Sequence, residues 1–297
     1  MNPFFSIVVP TYNRADLIKK TIESLLGQTY RNFEIIVVDD GSTDNTDQVI
    51  GQIQDDRLTY VKKGNAERAA ARNFGAAMAK GGYVNFFDSD DIALPNHLEE
   101  AAQLLNRQPE AEWFHLGYAW ATPEGQIFRN VNHFSGPTLN RLICNGNPLS
   151  CNGVFIRRDI IQAHPFNEDR ALSASEDYEL WCRLTARYPL YYTNAITSLV
   201  IDHEMRSVRT IHGEKLINRL QLLVQYLEQD EQAVRYFGKD FSKIKMDANS
   251  YIALHLANAP KYKLKSLQFL FKALKDDVAL LGTKRFYATI KNILIQW

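Results

Sequence analysis

Apolar positions along the first hundred residues switch between two periods. Short β-rich runs read as strands: Ser6-Ile7-Val8-Val9, Glu34-Ile35-Ile36-Val37-Val38, Leu58 to Val61, and Tyr83-Val84-Asn85-Phe86-Phe87. Between them, Ile18, Ile22, Leu25 and Leu26 recur at i, i+4, i+7 and i+8, the spacing of one helix face. Val49, Ile50 and Ile53 mark a short helix, and Ala66 to Ala79 an Ala-rich one closed by Gly81-Gly82. Pro95 suits the first turn of a further helix, with Leu98, Ala101, Ala102 and Leu105 turned inward. This alternation predicts an α/β domain with a mostly parallel sheet flanked by helices, and strands without polar alternation agree. Ligands of such sheets bind beyond the carboxyl ends of the strands. Three polar clusters fall at those ends: Pro10-Thr11-Tyr12-Asn13, Asp39-Asp40, and Asp88-Ser89-Asp90-Asp91.

The pattern changes after residue 110. Trp113 to Thr122 and Gln126 to Val131 flank Pro123-Glu124-Gly125 as a hairpin. Gly153 to Arg157 reads as a strand and Glu176 to Arg187 as a helix, and after about residue 213 only helices follow. We therefore expect one domain over 1–212, in parts 1–109 and 110–212, and a helical extension over 213–297.

Composition sharpens this in three places. Of 297 residues 45% are apolar, enough for a sizeable core, while Lys plus Arg and Asp plus Glu balance at 34 each. That balance removes a whole-chain electrostatic case for nucleic acid as a partner. Three cysteines (Cys144, Cys151, Cys182) without a CxxC pair argue for reduced thiols, and against a disulfide framework or thiolate zinc. The first residues carry no basic segment followed by a long apolar run, and nowhere does an apolar run approach the roughly 20 residues that span a bilayer. A cytoplasmic location is the expectation. Charge is nevertheless uneven: residues 241–297 hold ten Lys or Arg against three acidic residues, a local excess of seven. Leu264, Leu267, Leu270 and Phe271 recur at helical spacing beside Lys261, Lys263, Lys265, Lys272 and Lys275, and Lys284 to Trp297 is again basic and apolar. Two readings stay open. The tail lies peripherally on the inner face of the cell membrane, or its apolar face packs on the rest of the chain or on the second subunit of a homodimer.

The acidic segment carries the sharpest chemistry. Three carboxylates within four residues repel one another unless a cation or solvent screens them. Asp88 and Asp90, two apart at a strand end, share a face, and oxygen donors of this kind suit Mg²⁺ or Mn²⁺. The alternative is a solvated loop with a helix cap. Asp39 or Asp40 offers a carboxylate to a nucleobase N–H or a ribose hydroxyl; alternatively Asp40-Gly41 is a turn and Ser42 to Asp44 a cap.

The order of the clusters says more than any one of them. Ser6-Ile-Val-Val-Pro-Thr-Tyr-Asn-Arg14 is followed by Ile36-Val-Val-Asp-Asp-Gly-Ser42, then Ala71-Arg72-Asn73, then Phe87-Asp-Ser-Asp-Asp91. Over roughly residues 5–205 the chain resembles the family 2 glycosyltransferases, inverting enzymes with the GT-A fold. The resemblance implies that 1–109 binds a nucleotide-sugar and 110–212 the acceptor. Pro10, Thr11 and Tyr12 then line the base, Asp40 or Asp39 reads it, and Arg72 lies near base and phosphates. Asp88, with Ser89 beside it, stands on the ribose side of the DxD motif. Asp90 binds Mn²⁺ or Mg²⁺, and Asp91 caps the following turn. Ser175-Glu-Asp-Tyr-Glu-Leu-Trp-Cys-Arg-Leu184 resembles the family's ED-containing helix, which makes Asp177 the general base. Ile201-Asp-His-Glu204 through Ser207-Val208 resembles its late histidine segment, where His203 reaches the metal or diphosphate, or is an ordinary surface or core histidine. Arg206 and Arg209 contact phosphate or face water. The implied reaction moves a sugar, from UDP by family preference, to a hydroxyl of a glycan or lipid-linked acceptor in cell-surface polysaccharide synthesis. A nucleotidyltransferase is the alternative, but it wants a Gly-rich, Lys- or Arg-bearing phosphate loop that this chain lacks. A non-catalytic nucleotide-sugar-binding protein is another. A dehydrogenase is disfavoured because the first turn has no GxGxxG.

Overall fold

The computed structural model describes residues 2–131, 134–204 and 213–295. The chain forms two compact units, one of residues 1–140, 149–170 and 188–204, the other of 141–148, 171–187 and 205–297.

The first unit is built on a nine-stranded sheet. β1 (Phe5–Thr11), β2 (Phe33–Asp39), β3 (Leu58–Lys62) and β4 (Tyr83–Phe86) alternate with α1 (Ala15–Leu26), α2 (Thr46–Gly51) and α3 (Glu67–Met78). The remaining elements are β5 (Ile92–Ala93), α4 (His97–Arg107), β6 (Trp113–Ala121), β7 (Ile127–Val131), β8 (Val154–Arg157), α5 (Arg158–Ala163) and β9 (Leu190–Ile201). β1 and β2 are buried at every position, as strands covered on both faces must be. Their parallel register sets Thr11 level with Asp39, and Lys62 at the end of β3 falls beside Asp39. The carboxyl ends of three strands thus form one polar edge. α3 lies so close to the sheet that a Cβ on Gly75 would strike the Val8 side chain.

The strand order is β3-β2-β1-β4-β8-β6-β9-β5, with β7 on β6. The parallel arrangement expected from the first hundred residues holds across the first four strands of that order and at β6/β9. Elsewhere the sheet is mixed, because β8 runs antiparallel to both β4 and β6, and β5 antiparallel to β9. The 12-residue β9 is rich in strand-favouring Tyr, Thr, Ile and Val, but it escapes a periodicity reading because its buried positions are Leu190 and then the unbroken run from Thr197 to Ile201, with no alternation. β9 bulges opposite Gly117: Leu116 pairs with Thr193, but Gly117 pairs with Ile196. A Cβ on Gly117 would lie 2.8 Å from the Ala195 carbonyl oxygen, so the bulge depends on that glycine.

The second unit contains α6 (Glu176–Thr185) and the helices α7 (Glu214–Gln229), α8 (Glu231–Phe237), α9 (Phe241–Leu256), α10 (Lys263–Asp276) and α11 (Lys284–Ile295). Grouping α6 with the late helices departs from the boundary drawn at 212. Arg187, just past α6, forms a 2.8 Å ion pair with Asp230, which also caps α8 through the Ala233 N–H. Buried Arg219 of α7 donates to the Ala174 carbonyl. No helix among the described residues is long and apolar enough to cross a membrane.

Candidate active site

The polar edge of the first unit is tied together loop by loop. Asn13 takes a left-handed backbone (φ 51°), a conformation Asn tolerates better than most residues. Its side-chain oxygen accepts from Thr43 N (2.8 Å), and its own N–H donates to Ser42 Oγ (2.9 Å). The loops after β1 and β2 are thereby fastened to each other. Thr11, at the end of β1, is 3% exposed, and its hydroxyl has no hydrogen-bond partner among the described residues. Pro10 is buried, and the Tyr12 ring is 47% exposed.

The two neighbouring carboxylates of the second motif have different partners. Asp39 has no exposed surface; it accepts from Ser42 N (2.7 Å) and from the Tyr60 hydroxyl (2.6 Å). Burial, and then that carboxylate, raise the Tyr60 phenol above its ordinary pKa, which keeps it a donor. Asp40 accepts from Lys63 Nζ (2.6 Å), Ala66 N (2.9 Å) and Glu67 N (2.8 Å). It therefore holds the first turn of α3, where Glu67 sits at φ 75°.

The acidic segment leaves β4 and is likewise sorted into distinct roles. Asp88 receives a 2.9 Å bond from Arg72 Nη2, and its backbone N–H donates to Asn152 Oδ1 (2.9 Å). Arg72 is 2% exposed and lies over the Phe166 ring, 5.3 Å from its centroid. Ser89 is buried between the acids. Asp90 Oδ2 faces His203 Nε2 (3.1 Å) and Arg14 Nη2 (3.6 Å). Asp91 has no exposed surface: one oxygen accepts from Asn152 Nδ2 (2.7 Å), the other from Ile201 N (2.8 Å), and its carbonyl accepts from Thr21 Oγ1 (2.8 Å). Asp91 thus links α1, β9 and the turn before β8.

Carboxylate oxygens of Asp88, Asp90 and Asp91 all lie within 4.8 Å of one another. These are hard oxygen donors, suited to Mg²⁺ or Mn²⁺. Asp91 is committed to backbone and amide donors, which leaves Asp88 and Asp90 as the carboxylates that fit a cation. His203 adds a nitrogen beside Asp90, and its Nδ1 is buried without a partner among the described residues.

The first unit therefore brings together Pro10, Thr11, Tyr12, Asp39, Asp40, Arg72, Asp88, Ser89, Asp90 and His203 at one end of its sheet. Arg206 and Arg209 lie outside the described residues. Two participants carried no role in the sequence reading. Arg14 had a signal, being three residues past a strand end inside the first motif; Asn152 had none that tied it to the acidic segment. Asp177 belongs to the second unit. There Glu176 turns inward, 2% exposed, and accepts from the N–H of Ser175, while half-buried Asp177 receives Asn147 Nδ2 at 3.2 Å and the N–H of Tyr178 at 2.7 Å.

Residues 6–162, more than half of the 297, match the family model described as glycosyl transferase family 2. The chain belongs to that family. Among curated relatives, an uncharacterized glycosyltransferase of Rickettsia felis is 28% identical over 88% of this chain. The chain spans less than half the length of that relative, 44%. The Escherichia coli enzyme named UDP-Glc:alpha-D-GlcNAc-diphosphoundecaprenol beta-1,3-glucosyltransferase WfaP is 32% identical over 61% of this chain and 70% of its own length. Among solved structures, residues 1–349 of TarS from S. aureus share the fold: TM-score 0.70 at 18% identity, covering 99% of this chain and 88% of that one. The same TarS fragment has been solved with UDP-GlcNAc (TM-score 0.65, 16% identity, covering 94% and 92%). The GT-A-like α/β fold with a helical C-terminal region is thus the fold of this family 2 chain.

Proposed function

We propose that this chain transfers a sugar from a nucleoside-diphosphate sugar, UDP-linked, to a hydroxyl of a lipid-linked or glycan acceptor, with inversion. The observation that carries the reading is the sorting of the acidic segment. Asp91 is buried as a fastener, while Asp90 faces Arg14 and His203 and Asp88 is aimed by buried Arg72. The donor and acceptor classes are supported by WfaP's name and by the UDP-GlcNAc complex of TarS. A lipid-diphosphate acceptor would put the work at the cytoplasmic face of the envelope, in surface polysaccharide assembly.

In this reading Thr11, whose hydroxyl has no partner among the described residues, and exposed Tyr12 line the base. Asp40, paired with Lys63, and Asp39, held by Ser42 and Tyr60, are the carboxylates offered to the base. Asp88 and Asp90, with His203 beside them, would hold Mn²⁺ or Mg²⁺, which when bound offsets the charge that grows on the departing diphosphate. Arg14 and Arg72 add fixed positive charge on the same side. Asp177 takes the proton of the attacking hydroxyl, since an inverting displacement needs a base on the acceptor side.

Calorimetry with UDP, GDP and dTDP sugars in the presence of Mn²⁺ tests this. Asp90→Ala should abolish metal-dependent donor binding. Asp177→Asn should stop transfer while leaving donor binding nearly intact; equal loss of both would contradict the base assignment. Donor binding with no transfer to any hydroxyl acceptor would instead favour a binding protein.

A further inference from the structure

We propose that the outward stripes of α10 and α11, with the turn between them, form a docking surface for an anionic lipid bilayer. Both helices are two-sided. α10 buries Ser266, Phe269, Leu270 and Ala273 within the second unit, and α11 buries Thr289 and Ile293. Core packing therefore accounts for one stripe of each helix. The opposite stripe mixes large exposed apolar side chains with lysines. On α10 it reads Leu264, Gln268, Phe271, Lys275, spaced i, i+4, i+7, i+11, with Leu264 77% and Phe271 63% exposed. On α11 it reads Lys284, Tyr287, Lys291, Leu294, spaced i, i+3, i+7, i+10, with Tyr287 and Leu294 each 65% exposed. The connecting turn, 278–282, exposes Val278 and Leu281.

Charge decides what covers this surface. Residues 241–297 carry ten basic and three acidic side chains, and each acid has a partner within its own unit. Asp247 pairs with Arg285 at 2.5 Å, Asp276 accepts from Asn249 at 2.7 Å, and Asp277 accepts from the N–H of Ala279 at 2.8 Å. Lys272, Lys275, Lys284 and Lys291 form no ion pair among the described residues, so the apolar stripes are flanked by lysines without a paired carboxylate, in a segment with a net excess of seven basic residues. A second copy docking through the same face would set these lysines against themselves. A bilayer bearing anionic headgroups accepts both features at once. Apolar side chains enter the acyl boundary while lysines placed a turn away meet the phosphates. The surface does not rest on the transfer chemistry, because vesicle binding and donor binding are read separately.

The experiment is co-sedimentation of the full chain with phosphatidylcholine vesicles, with and without phosphatidylglycerol. Binding is expected only to the anionic vesicles, and should weaken as salt shortens the screening length. Lys284→Gln and Lys291→Gln should each weaken it about five-fold. Leu264→Ser with Phe271→Ser should weaken it at least as much, with thermal midpoint and donor binding unchanged, because these side chains are exposed. Three results would overturn the proposal: no vesicle binding, binding indifferent to phosphatidylglycerol and to the lysine changes, or a solution dimer that Leu264→Ser with Phe271→Ser dissociates.

Discussion

Asn152→Ala is the most telling perturbation of the active-site edge. Asn152 has no exposed surface, and its amide does two jobs: Oδ1 accepts from Asp88 N at 2.9 Å, and Nδ2 donates to Asp91 Oδ2 at 2.7 Å. A hydrogen bond to a charged group contributes about 1.5–3 kcal/mol and a neutral one about 1 kcal/mol, so the truncation should cost on the order of 2–4 kcal/mol. In a domain of this size about 1 kcal/mol moves the thermal midpoint by roughly 2–4 °C, which predicts a fall on the order of 5–15 °C. The backbone N–H of Asp88 loses its partner as well, so the loop bearing Asp88 and Asp90 is less firmly placed. Metal-dependent donor affinity should therefore weaken even below the new midpoint. Scanning calorimetry gives the first quantity and titration calorimetry with a nucleoside-diphosphate sugar and Mn²⁺ the second. Asn152→Asp sharpens the test: it keeps the shape and an acceptor oxygen but sets a second carboxylate against buried Asp91, so it should be worse than alanine. An alanine variant with its midpoint within about 1 °C of the parent, or an aspartate variant that restores it, would refute the reasoning.

Other expectations follow from the same geometry. A Cβ on Gly153 would meet the backbone carbonyl oxygen of Leu116, so Gly153→Ala should cost about 1–3 kcal/mol or prevent folding, whereas Gly51→Ala, with nothing within 4 Å, should be neutral or stabilising in urea unfolding. His203→Ala should weaken metal-dependent donor binding less than Asp90→Ala does, and leave metal-free nucleotide binding unchanged; titrations with and without EDTA separate the two. Burial lowers His97 and His115 to about 3, so each is neutral when folded and protonated below about pH 6.5 when unfolded. The unfolded chain then binds more protons between pH 6.5 and 3, and stability falls as pH drops through that window, by up to about 1.4 kcal/mol per pH unit for each ring. Urea midpoints across pH 4–7 measure the slope, and an imidazole resonance of either residue titrating near 6.5 in the folded protein would contradict it.

The local features of this chain were legible in its sequence because hydrophobic periodicity is a local property. The alternation of strands with Ile18, Ile22 and Leu25 on one helix face gave the α/β class and put three polar clusters at strand ends. The helical character of residues past 213 was equally plain. Connectivity beyond β4 was not legible, because strand direction depends on where distant segments pair. β9 in particular buries Leu190 and then the run from Thr197 to Ile201 without alternation, and it bulges opposite Gly117 of β6. Nor could local sequence assign roles to neighbouring identical side chains. Asp90 and Asp91 are adjacent aspartates in one tetrapeptide, yet one faces Arg14 and His203 while the other is buried. That difference comes from Asn152 and the N–H of Ile201, which are 61 and 110 residues away along the chain. Asp39 and Asp40 divide in the same way, one closing its own turn with Ser42 and Tyr60, the other holding α3. Sequence determined which carboxylates stand at the edge of the sheet. Only the tertiary structure decided which of them are spent on holding it together, because a buried carboxylate takes its partners from whatever folding brings within reach.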